Sequence, residues 1–160
     1  MADKLDKVDI RILNFLQENS KITNLELSRK IGLSPAPTLE RVKKLEQLEI
    51  IESYHAKINP NKVNLSISTF VLINLAWHIP GSMDSFVAKI KEIDEITDCY
   101  VITGDADILM RVVCKDIQAY ENLLFRKLSQ IKEVERLKTL MTLSIVKSSN
   151  KLPIRLEDIE

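Results

Sequence analysis

The sequence predicts an α+β protein of two domains, a helical N-terminal domain and a C-terminal domain of mixed strands and helices. Three segments within residues 6–45 carry apolar residues at helical spacing, separated by capping residues. From residue 66 onward, strand-like segments alternate with two helical ones. Asn59-Pro60-Asn61 marks a break between the two patterns. The expected boundaries are a first domain at 1–54, a linker at 55–64, a second domain at 65–152 and a tail at 153–160. We expect its acidic end, residues 156–160, to be mobile.

The first two helices are predicted from their caps and apolar spacing. Residues 6–19 place their apolar side chains on one helical face, enough to cover two further helices. In the next segment Thr23 is the expected N-cap, and Glu26 closes a capping box with it. Gly32 supplies the left-handed residue that ends this helix.

A third helix is predicted to begin after Ser34. Pro35 takes the first helical position and Pro37 lies in the first turn, where an N–H group has no intrahelical partner. Helical spacing predicts that three apolar residues face the core: Leu39, Val42 and Leu45. Four polar residues then point away from it: Thr38, Arg41, Lys43 and Lys44. Beyond the helix, the β-prone segment 50–54 predicts a short strand or wing.

The second and third helices match a helix-turn-helix, which presents a recognition helix to the major groove of DNA. The chain has a formal net charge of zero, yet residues 29–44 contain five cations and only one acid, Glu40. The five cations are Arg29, Lys30, Arg41, Lys43 and Lys44. Such a local cluster favours binding to phosphates. The small residues at the start of the third helix leave room to approach bases. The open alternative is a helical hairpin with a solvated basic face.

We therefore predict double-stranded DNA as a partner. Phosphate contacts are expected from Arg41, Lys43 and Lys44, and contacts to phosphates or base edges from Ser34 and Thr38. Pro35 and Pro37 belong to the same interface, at the end of the helix that enters the groove.

The second domain is predicted to follow the order strand, helix, strand, strand, helix, strand. This βαββαβ order is that of a ferredoxin-like fold. The expected strands are residues 66–76, 99–102, 108–113 and 136–146. One helix opens at Gly81-Ser82, another is capped by Asp116, and the middle strands meet at the turn Gly104-Asp105-Ala106.

The predicted sheet has apolar residues on both faces but only two helices to cover it. Phe70 and Leu72 lie on one strand, and Leu109 and Met110 put apolar side chains on opposite faces of another. An apolar face without a covering layer needs a partner, and a second copy of the chain is the simplest one. A homodimer also suits the DNA-binding domain, because two recognition helices about 34 Å apart read successive major-groove turns.

Composition excludes several classes of protein. Of the 160 residues, 45% are hydrophobic and 29% charged, which supports a folded core. No apolar run approaches the roughly 20 residues needed to span a bilayer, so no membrane partner is expected. The N-terminal residues form no apolar signal segment, which predicts a cytoplasmic protein. Cys99 and Cys114 lie in strand-like apolar runs and are expected to be buried thiols.

An enzyme is the second functional class. Conceivable participants are His55, His78, Cys99, Asp105 and Asp107, but they show no nucleophile–base pairing, metal-ligand spacing or glycine-rich phosphate loop. We therefore predict no catalytic residue, no metal site and no cofactor. A third class, an assembly protein that senses a metabolite without binding DNA, is disfavoured by the basic third helix.

The chain resembles the Lrp/AsnC family of bacterial and archaeal transcription regulators, the feast/famine proteins, over nearly its whole length. Three segments carry the resemblance: LDKVDIRILNFLQENSKITNLELSRKIGLSPAPTLERVKKLE, ITGDADILMRV and VKSSNKL. The last of these, with Ser34-Pro35-Ala36-Pro37, is most similar to the leucine-responsive branch. One departure is Glu49, since members usually have glycine there.

The resemblance implies a transcription regulator whose dimers assemble further, commonly into octamers, and which associates with the nucleoid. It also implies that the second domain binds an amino-acid effector, leucine or another amino acid, between dimers. The family's effector motif corresponds to Gly104, Asp105, Ala106 and Asp107. Exposed N–H groups near Gly104 would suit a ligand carboxylate, and an aspartate its ammonium group. The alternative is a simple tight hairpin turn. Ala106 is smaller than the residue many members carry, which leaves pocket size open.

Overall fold

In a computed structural model, which describes residues 5–155 and residue 157, the chain divides into two compact units. One unit runs to residue 57 and also takes in the chain from residue 147 onward, and the other holds residues 58–146. The segment 147–152, assigned from the sequence to the second domain, therefore lies with the helical unit. The predicted mobility of residues 156–160 falls, apart from Glu157, outside the described residues.

The first unit contains three helices that begin at capping residues. They are α1 (Lys7–Glu18), α2 (Asn24–Ile31) and α3 (Pro35–Gln47). Thr23 and Glu26 form the predicted capping box of α2, and Gly32 ends that helix with φ 80°. Asp6 caps α1 in the same reciprocal way with Asp9. Local sequence thus sets both ends of the turn between α2 and α3.

The apolar core of this unit draws on all three helices. Its buried members are Ile12, Leu13, Leu27, Ile31 and Leu45. The predicted core face of α3 is wrong in part, because Leu39 is 43% exposed whereas Thr38 is fully buried. The Thr38 hydroxyl donates a 2.9 Å hydrogen bond to the Ser34 carbonyl oxygen, so its burial leaves no polar group unpaired. The buried face of α3 therefore passes through Thr38 instead of Leu39.

The chain leaves α3 through a left-handed residue, Glu49, with φ 55°. The N–H group of Ile50 donates a 3.0 Å bond to the Leu45 carbonyl oxygen, which closes the helix end in a Schellman-type turn. Residues 50–54 are all described and form no strand, so of the two predicted alternatives, a short strand or a wing, the strand is wrong. The described residues of this unit include no other strand with which it could pair. Instead the Tyr54 hydroxyl donates a 2.8 Å bond to Glu46 on α3. Burial and then this bond raise the pKa of Tyr54 to about 12.

The second unit is a four-stranded antiparallel sheet in the order β2-β3-β1-β4. The strands are β1 (Ile67–Leu75), β2 (Ile96–Val101), β3 (Ile108–Cys114) and β4 (Val134–Met141). Helix α4 (Ser82–Ile90) joins β1 to β2, and α5 (Ile117–Asn122) follows β3. After α5 the chain continues through a π-helical turn, Leu123–Lys127, and a 3₁₀ turn, Leu128–Gln130. The predicted ferredoxin-like order is confirmed, although β4 ends at Met141 rather than at residue 146.

The helices pack on one face of the sheet. Inward residues of β1 and β3 alternate with outward ones, as expected for strands covered on one side. The fully buried side chains in this core include Val71, Ile73, Phe86, Met110 and Val112. Beside this core, Glu133 is 1% exposed. Its carboxylate accepts from Ser85 at 2.7 Å and lies 2.5 Å from the Lys89 ammonium, both on α4. These hydrogen bonds, with that of Lys89 the largest cause, lower the pKa of Glu133 to about 2.

The two cysteines differ in environment. Cys114 is buried, as predicted, but Cys99 is exposed. Cys99 lies on β2, an edge strand, so the helices that cover the middle strands leave its side chain open. Among the described residues, no helix is long and apolar enough to cross a membrane.

Candidate nucleic-acid interface and effector turn

The start of α3 is exposed and built from small residues. Ser34 has extended backbone at the N-cap position, and its hydroxyl caps no N–H group within the described part of the chain. Pro35 and Ala36 are exposed, and Pro37 is half-buried. The Asn24 side-chain amide on α2 donates a 2.8 Å hydrogen bond to the Pro35 carbonyl oxygen, which fixes this end of α3 against α2. The positive end of a helix dipole without bulky side chains suits an approaching phosphate.

Two of the residues predicted to contact DNA are engaged inside the protein. Thr38 is fully buried, so its hydroxyl cannot reach a base or phosphate. Arg41 is half-buried, and its Nη1 atom lies 2.8 Å from an oxygen of Asp9 and 2.8 Å from an oxygen of Asp6. Hydrogen bonds to Asp9 and then to Asp6 raise the pKa of Arg41. The guanidinium thus ties α3 to the beginning of α1.

Four exposed cations of the helical unit lie on α2 and α3. Lys43 and Lys44 are exposed on α3, and Arg29 and Lys30 on α2. The Lys30 ammonium lies 5.1 Å from the centroid of the Phe15 ring, a cation–π contact that restrains its position. Exposed cations on the two helices of the turn give this unit the charge needed to hold phosphates.

Sequence reasoning missed the side chains that hold the helix pair in place. Arg11 on α1 donates hydrogen bonds of 3.0 Å to the Ile31 carbonyl oxygen and 2.5 Å to that of Lys30. These carbonyls belong to the negative C-terminal end of α2. Two further contacts hold α3. The Asn24 amide donates to the Pro35 carbonyl oxygen at the start of α3. The Asp6 and Asp9 carboxylates pair with Arg41 of α3. In the sequence they are ordinary polar helix residues, and only the crossing of the helices shows which groups they reach.

The turn between β2 and β3 contains the four residues predicted to bind an effector: Gly104, Asp105, Ala106 and Asp107. Gly104 has φ 116°, a backbone conformation that residues with side chains rarely adopt. The N–H groups of residues 103–106 donate to no acceptor among the residues that the structure describes. Successive N–H groups without a partner in a turn are the kind of group that binds an anion, so this turn is a candidate site for a ligand carboxylate.

The two aspartates of this turn have different surroundings. One oxygen of Asp107 accepts a 2.8 Å hydrogen bond from the N–H group of Leu75 at the end of β1, so Asp107 anchors the turn. Asp105 is exposed, and its main-chain carbonyl accepts a 2.9 Å bond from the Asn74 side chain. Ala106 is only 5% exposed. Asp105 is therefore the carboxylate better placed to meet a ligand ammonium group, and Asn74 is a supporting residue that the sequence did not reveal.

The sheet face opposite the helices carries a partly exposed apolar surface. Directly paired residues share a face, and two rows cross the sheet on this side. One row is Asp98, Arg111, Phe70 and Leu140, and the other is Tyr100, Leu109, Leu72 and Lys138. Phe70, Leu140 and Tyr100 are 36%, 40% and 53% exposed. The Arg111 guanidinium lies 3.6 Å from the Asp98 carboxylate at one end of the first row. We call these eight residues the open sheet face.

Comparison with known proteins agrees with both parts of this architecture. The family described as Lrp/AsnC ligand binding domain matches residues 68–152, and the winged helix-turn-helix DNA-binding family matches residues 5–52. The chain belongs to the Lrp/AsnC family. The leucine-responsive regulatory proteins of Salmonella typhimurium and Escherichia coli K12 are each 38% identical to it, over 94% of this chain and 92% of theirs.

Solved structures of transcription regulators have the same fold. A Neisseria meningitidis transcriptional regulator in complex with L-Met superposes with a TM-score of 0.90 at 33% identity, covering 93% of this chain and 96% of that one. An AsnC family regulator from Agrobacterium tumefaciens gives 0.87 at 33% identity, covering 93% and 97%. These relatives are transcription regulators. This Lrp/AsnC chain is accordingly a ligand-responsive, DNA-binding regulator and not an enzyme, so the enzyme and the DNA-independent alternatives are set aside.

Proposed function

We propose that this protein is a sequence-specific transcription regulator that binds double-stranded DNA through α3 and changes its assembly and DNA binding in response to an amino acid. The observation that carries the proposal is the small, exposed start of α3 together with four exposed cations on α2 and α3, in a chain of formal net charge zero. Cations gathered on two consecutive helices of a neutral protein favour binding to phosphates.

The DNA contacts are divided along α3. Ser34, Pro35 and Pro37 lie at the end that enters the major groove, where small side chains allow close approach to base edges. Lys43 and Lys44, two turns further on, neutralise phosphates. These five residues form the proposed DNA-contacting set.

Arg41 and Thr38, which the sequence placed in the same set, take internal roles in this proposal. Arg41 orients α3 through Asp6 and Asp9, and Thr38 closes the first turn of α3 on Ser34. Both therefore act on DNA binding through the position of the helix, without touching DNA.

The open sheet face supports a homodimer. Its apolar residues are more exposed than those on the helix-covered face, and self-association of two such faces removes them from water. The resemblance to the family further supports assembly of dimers into octamers, and residence on the nucleoid follows from binding chromosomal DNA. Two-fold symmetry places two copies of α3 on one face of a DNA duplex.

The effector is proposed to be an amino acid bound at the turn Gly104–Asp107, between dimers. The N–H groups of residues 103–106 receive its carboxylate, and Asp105 receives its ammonium group. Leucine and methionine are the first candidates, because relatives are named leucine-responsive or were solved with L-Met. Such a ligand changes the assembly only by its different affinity for the assembly states.

Titration of DNA binding against salt tests the DNA role. We expect affinity for a DNA duplex to fall steeply between 50 and 200 mM salt, with each phosphate contact adding about 0.9 to the log–log slope. Lys43→Ala should reduce that slope by about 0.9. Lys91→Ala, an exposed lysine after α4, is the matched control and should leave the slope unchanged. A wild-type affinity independent of salt contradicts the proposal.

Calorimetry with L-leucine and L-methionine tests the effector role. The wild type should bind at least one of them, and Asp105→Asn should weaken that binding by about tenfold or more, because a charge-assisted hydrogen bond is lost. Asp84→Asn, an exposed aspartate on α4, is the control. If Asp105→Asn binds the amino acid as tightly as the wild type, the assignment of Asp105 as the ammonium site is wrong. If the wild type binds no amino acid, the sensor role is wrong.

A further inference from the structure

The chain passes between its two units twice, once after residue 57 and once after residue 146. The second passage leads into a segment, residues 147–155, that forms no helix or strand in the described part of the chain. Where the two passages meet the helical unit, the Lys57 ammonium donates to the carbonyl oxygen of Ser148 at 3.0 Å and to its hydroxyl at 3.4 Å. The ends of both connections are therefore held together on the same unit.

The segment then binds to α1 through Gln17. The Gln17 side-chain carbonyl accepts a 2.6 Å hydrogen bond from the N–H group of Leu152, and its amide group donates a 3.3 Å bond to the Leu152 carbonyl oxygen. Both main-chain groups of one residue are thus paired by one side chain, as a neighbouring strand would pair them. This contact recognises extended backbone rather than a particular side chain.

Contacts on either side of Gln17 extend the binding surface. The Lys151 ammonium lies 2.5 Å from a Glu18 carboxylate oxygen, and the Asn14 side-chain amide donates to the Ile154 carbonyl oxygen at 3.4 Å. The side chain of Ile154 is half-buried against the apolar core of the helical unit. Asn14, Gln17 and Glu18 are spaced three and four residues apart, so they lie on one face of α1.

We infer that this face of α1 is a docking surface for the chain's own residues 147–155, which form a second, reversible tether between the ligand-binding and DNA-binding units. The first connection is the chain between residues 57 and 58, and a single covalent connection of this kind leaves a domain free to rotate. A docked second passage closes a loop and restricts that rotation. The docking contacts are mostly exposed and few, so they can open, while the covalent link keeps the segment at high effective concentration.

The tether connects the ligand-binding unit to the recognition helix through α1. The chain runs from β4 into the docked segment, and Asp9 at the start of α1 holds Arg41 of α3. This role rests on the proposed function. A change in the ligand-binding unit that pulls on residues 142–147 disfavours docking of the segment. The DNA-binding unit is then free to rotate. It loses part of its preorganisation, and DNA affinity falls because it depends on that preorganisation.

Hydrogen exchange on the full chain tests docking without DNA or amino acid. Gln17→Met keeps the length and helix propensity of the side chain but removes both bonds to Leu152. We expect the Leu152 amide to exchange at least about tenfold faster in this variant than in the wild type. Gln118→Met, the same change at an exposed position of α5, should leave it unchanged. Equal exchange in the wild type and Gln17→Met overturns docking.

DNA binding tests the tether. A chain ending at residue 149 and Gln17→Met should each bind a DNA duplex roughly 3- to 10-fold more weakly, with an unchanged salt slope. The effect of L-leucine or L-methionine on that affinity should shrink towards none. A chain ending at residue 157 is the control and should match the wild type. Faster exchange with unchanged DNA affinity overturns the tether and leaves the proposed function intact, whereas a wild type that ignores DNA overturns the proposed function.

A charge exchange supplies an independent check on the same surface. Glu18→Lys and Lys151→Glu each place like charges together and should speed exchange at Leu152, and the double variant should restore the wild-type rate. Additive effects in the double variant would show that the two side chains do not meet.

Discussion

Replacing Arg41 by methionine separates two explanations for a cation on a recognition helix. If Arg41 contacts a phosphate, its loss removes one charge contact to DNA. If it orients α3, its loss frees the helix from Asp6 and Asp9, and replacing Asp9 by asparagine has the same effect. The two explanations predict opposite results for Asp9→Asn. If Arg41 orients α3, the variant binds DNA more weakly. If Arg41 contacts a phosphate, the variant binds DNA more tightly, because a negative charge near DNA has been removed.

The size of the effect follows from the exposure of the three side chains. A hydrogen bond to a charged group contributes about 1.5–3 kcal/mol when sheltered from water. Asp9 is 16% exposed but Arg41 is 35% exposed, so solvent screening reduces their bond to about 1–2 kcal/mol. Asp6 is 49% exposed, and its pair with Arg41 adds at most about 1 kcal/mol. Arg41→Met should therefore destabilise the helical unit by about 2 kcal/mol, and Asp9→Asn by about 1–2 kcal/mol.

Fluorescence anisotropy with a labelled duplex over 50–200 mM salt measures the consequence. At a temperature where circular dichroism shows each variant folded, Arg41→Met and Asp9→Asn should both weaken DNA binding by up to about tenfold, with the salt slope of the wild type. Asp84→Asn serves as the control for the loss of a negative charge. A slope lowered by about 0.9 in Arg41→Met, together with tighter binding by Asp9→Asn, would refute the orienting role.

Three further outcomes are expected. Glu49→Gly should stabilise the helical unit by about 0.5–1 kcal/mol in urea unfolding, because glycine removes the left-handed strain at φ 55°, whereas Glu40→Gly in the middle of α3 should destabilise it by a similar amount. The folded-state pKa of Glu133 is lowered to about 2, so its stabilisation is present above its unfolded pKa of about 4.5 and is lost as pH falls towards 2. Thermal unfolding from pH 6 to pH 2 should show this loss, and Glu133→Gln should flatten the curve. Asp107→Ala should lower the melting temperature of the second unit, because it removes the acceptor of the Leu75 N–H group, while Asp105→Ala should leave it unchanged.

Several elements were predictable because their causes are local. The capping box of Thr23 and Glu26 and the helix stop at Gly32 depend on residues within one turn of each other. The order of strands and helices along the second unit was predictable from the pattern of apolar residues. Of the alternatives predicted for residues 50–54, a short strand or a wing, the strand was wrong for the opposite reason. β-prone residues form a strand only beside another strand, and the helical unit contains none among its described residues.

The sequence by itself determined where the helices begin and end, the βαββαβ order of the second unit and the gathering of cations near the recognition helix. Only the tertiary structure decided which side chains are available to a partner. Successive residues of an α-helix are rotated by about 100° about its axis, so Thr38 and Leu39 both lie near the edge of the apolar face of α3. The spacing of apolar residues therefore does not show which of the two is buried. Likewise, nothing near Arg41 or Asp107 in the chain indicates Asp9 or Leu75 as a partner. Those contacts arise because packing brings distant segments within hydrogen-bonding distance, and that proximity is a property of the folded chain.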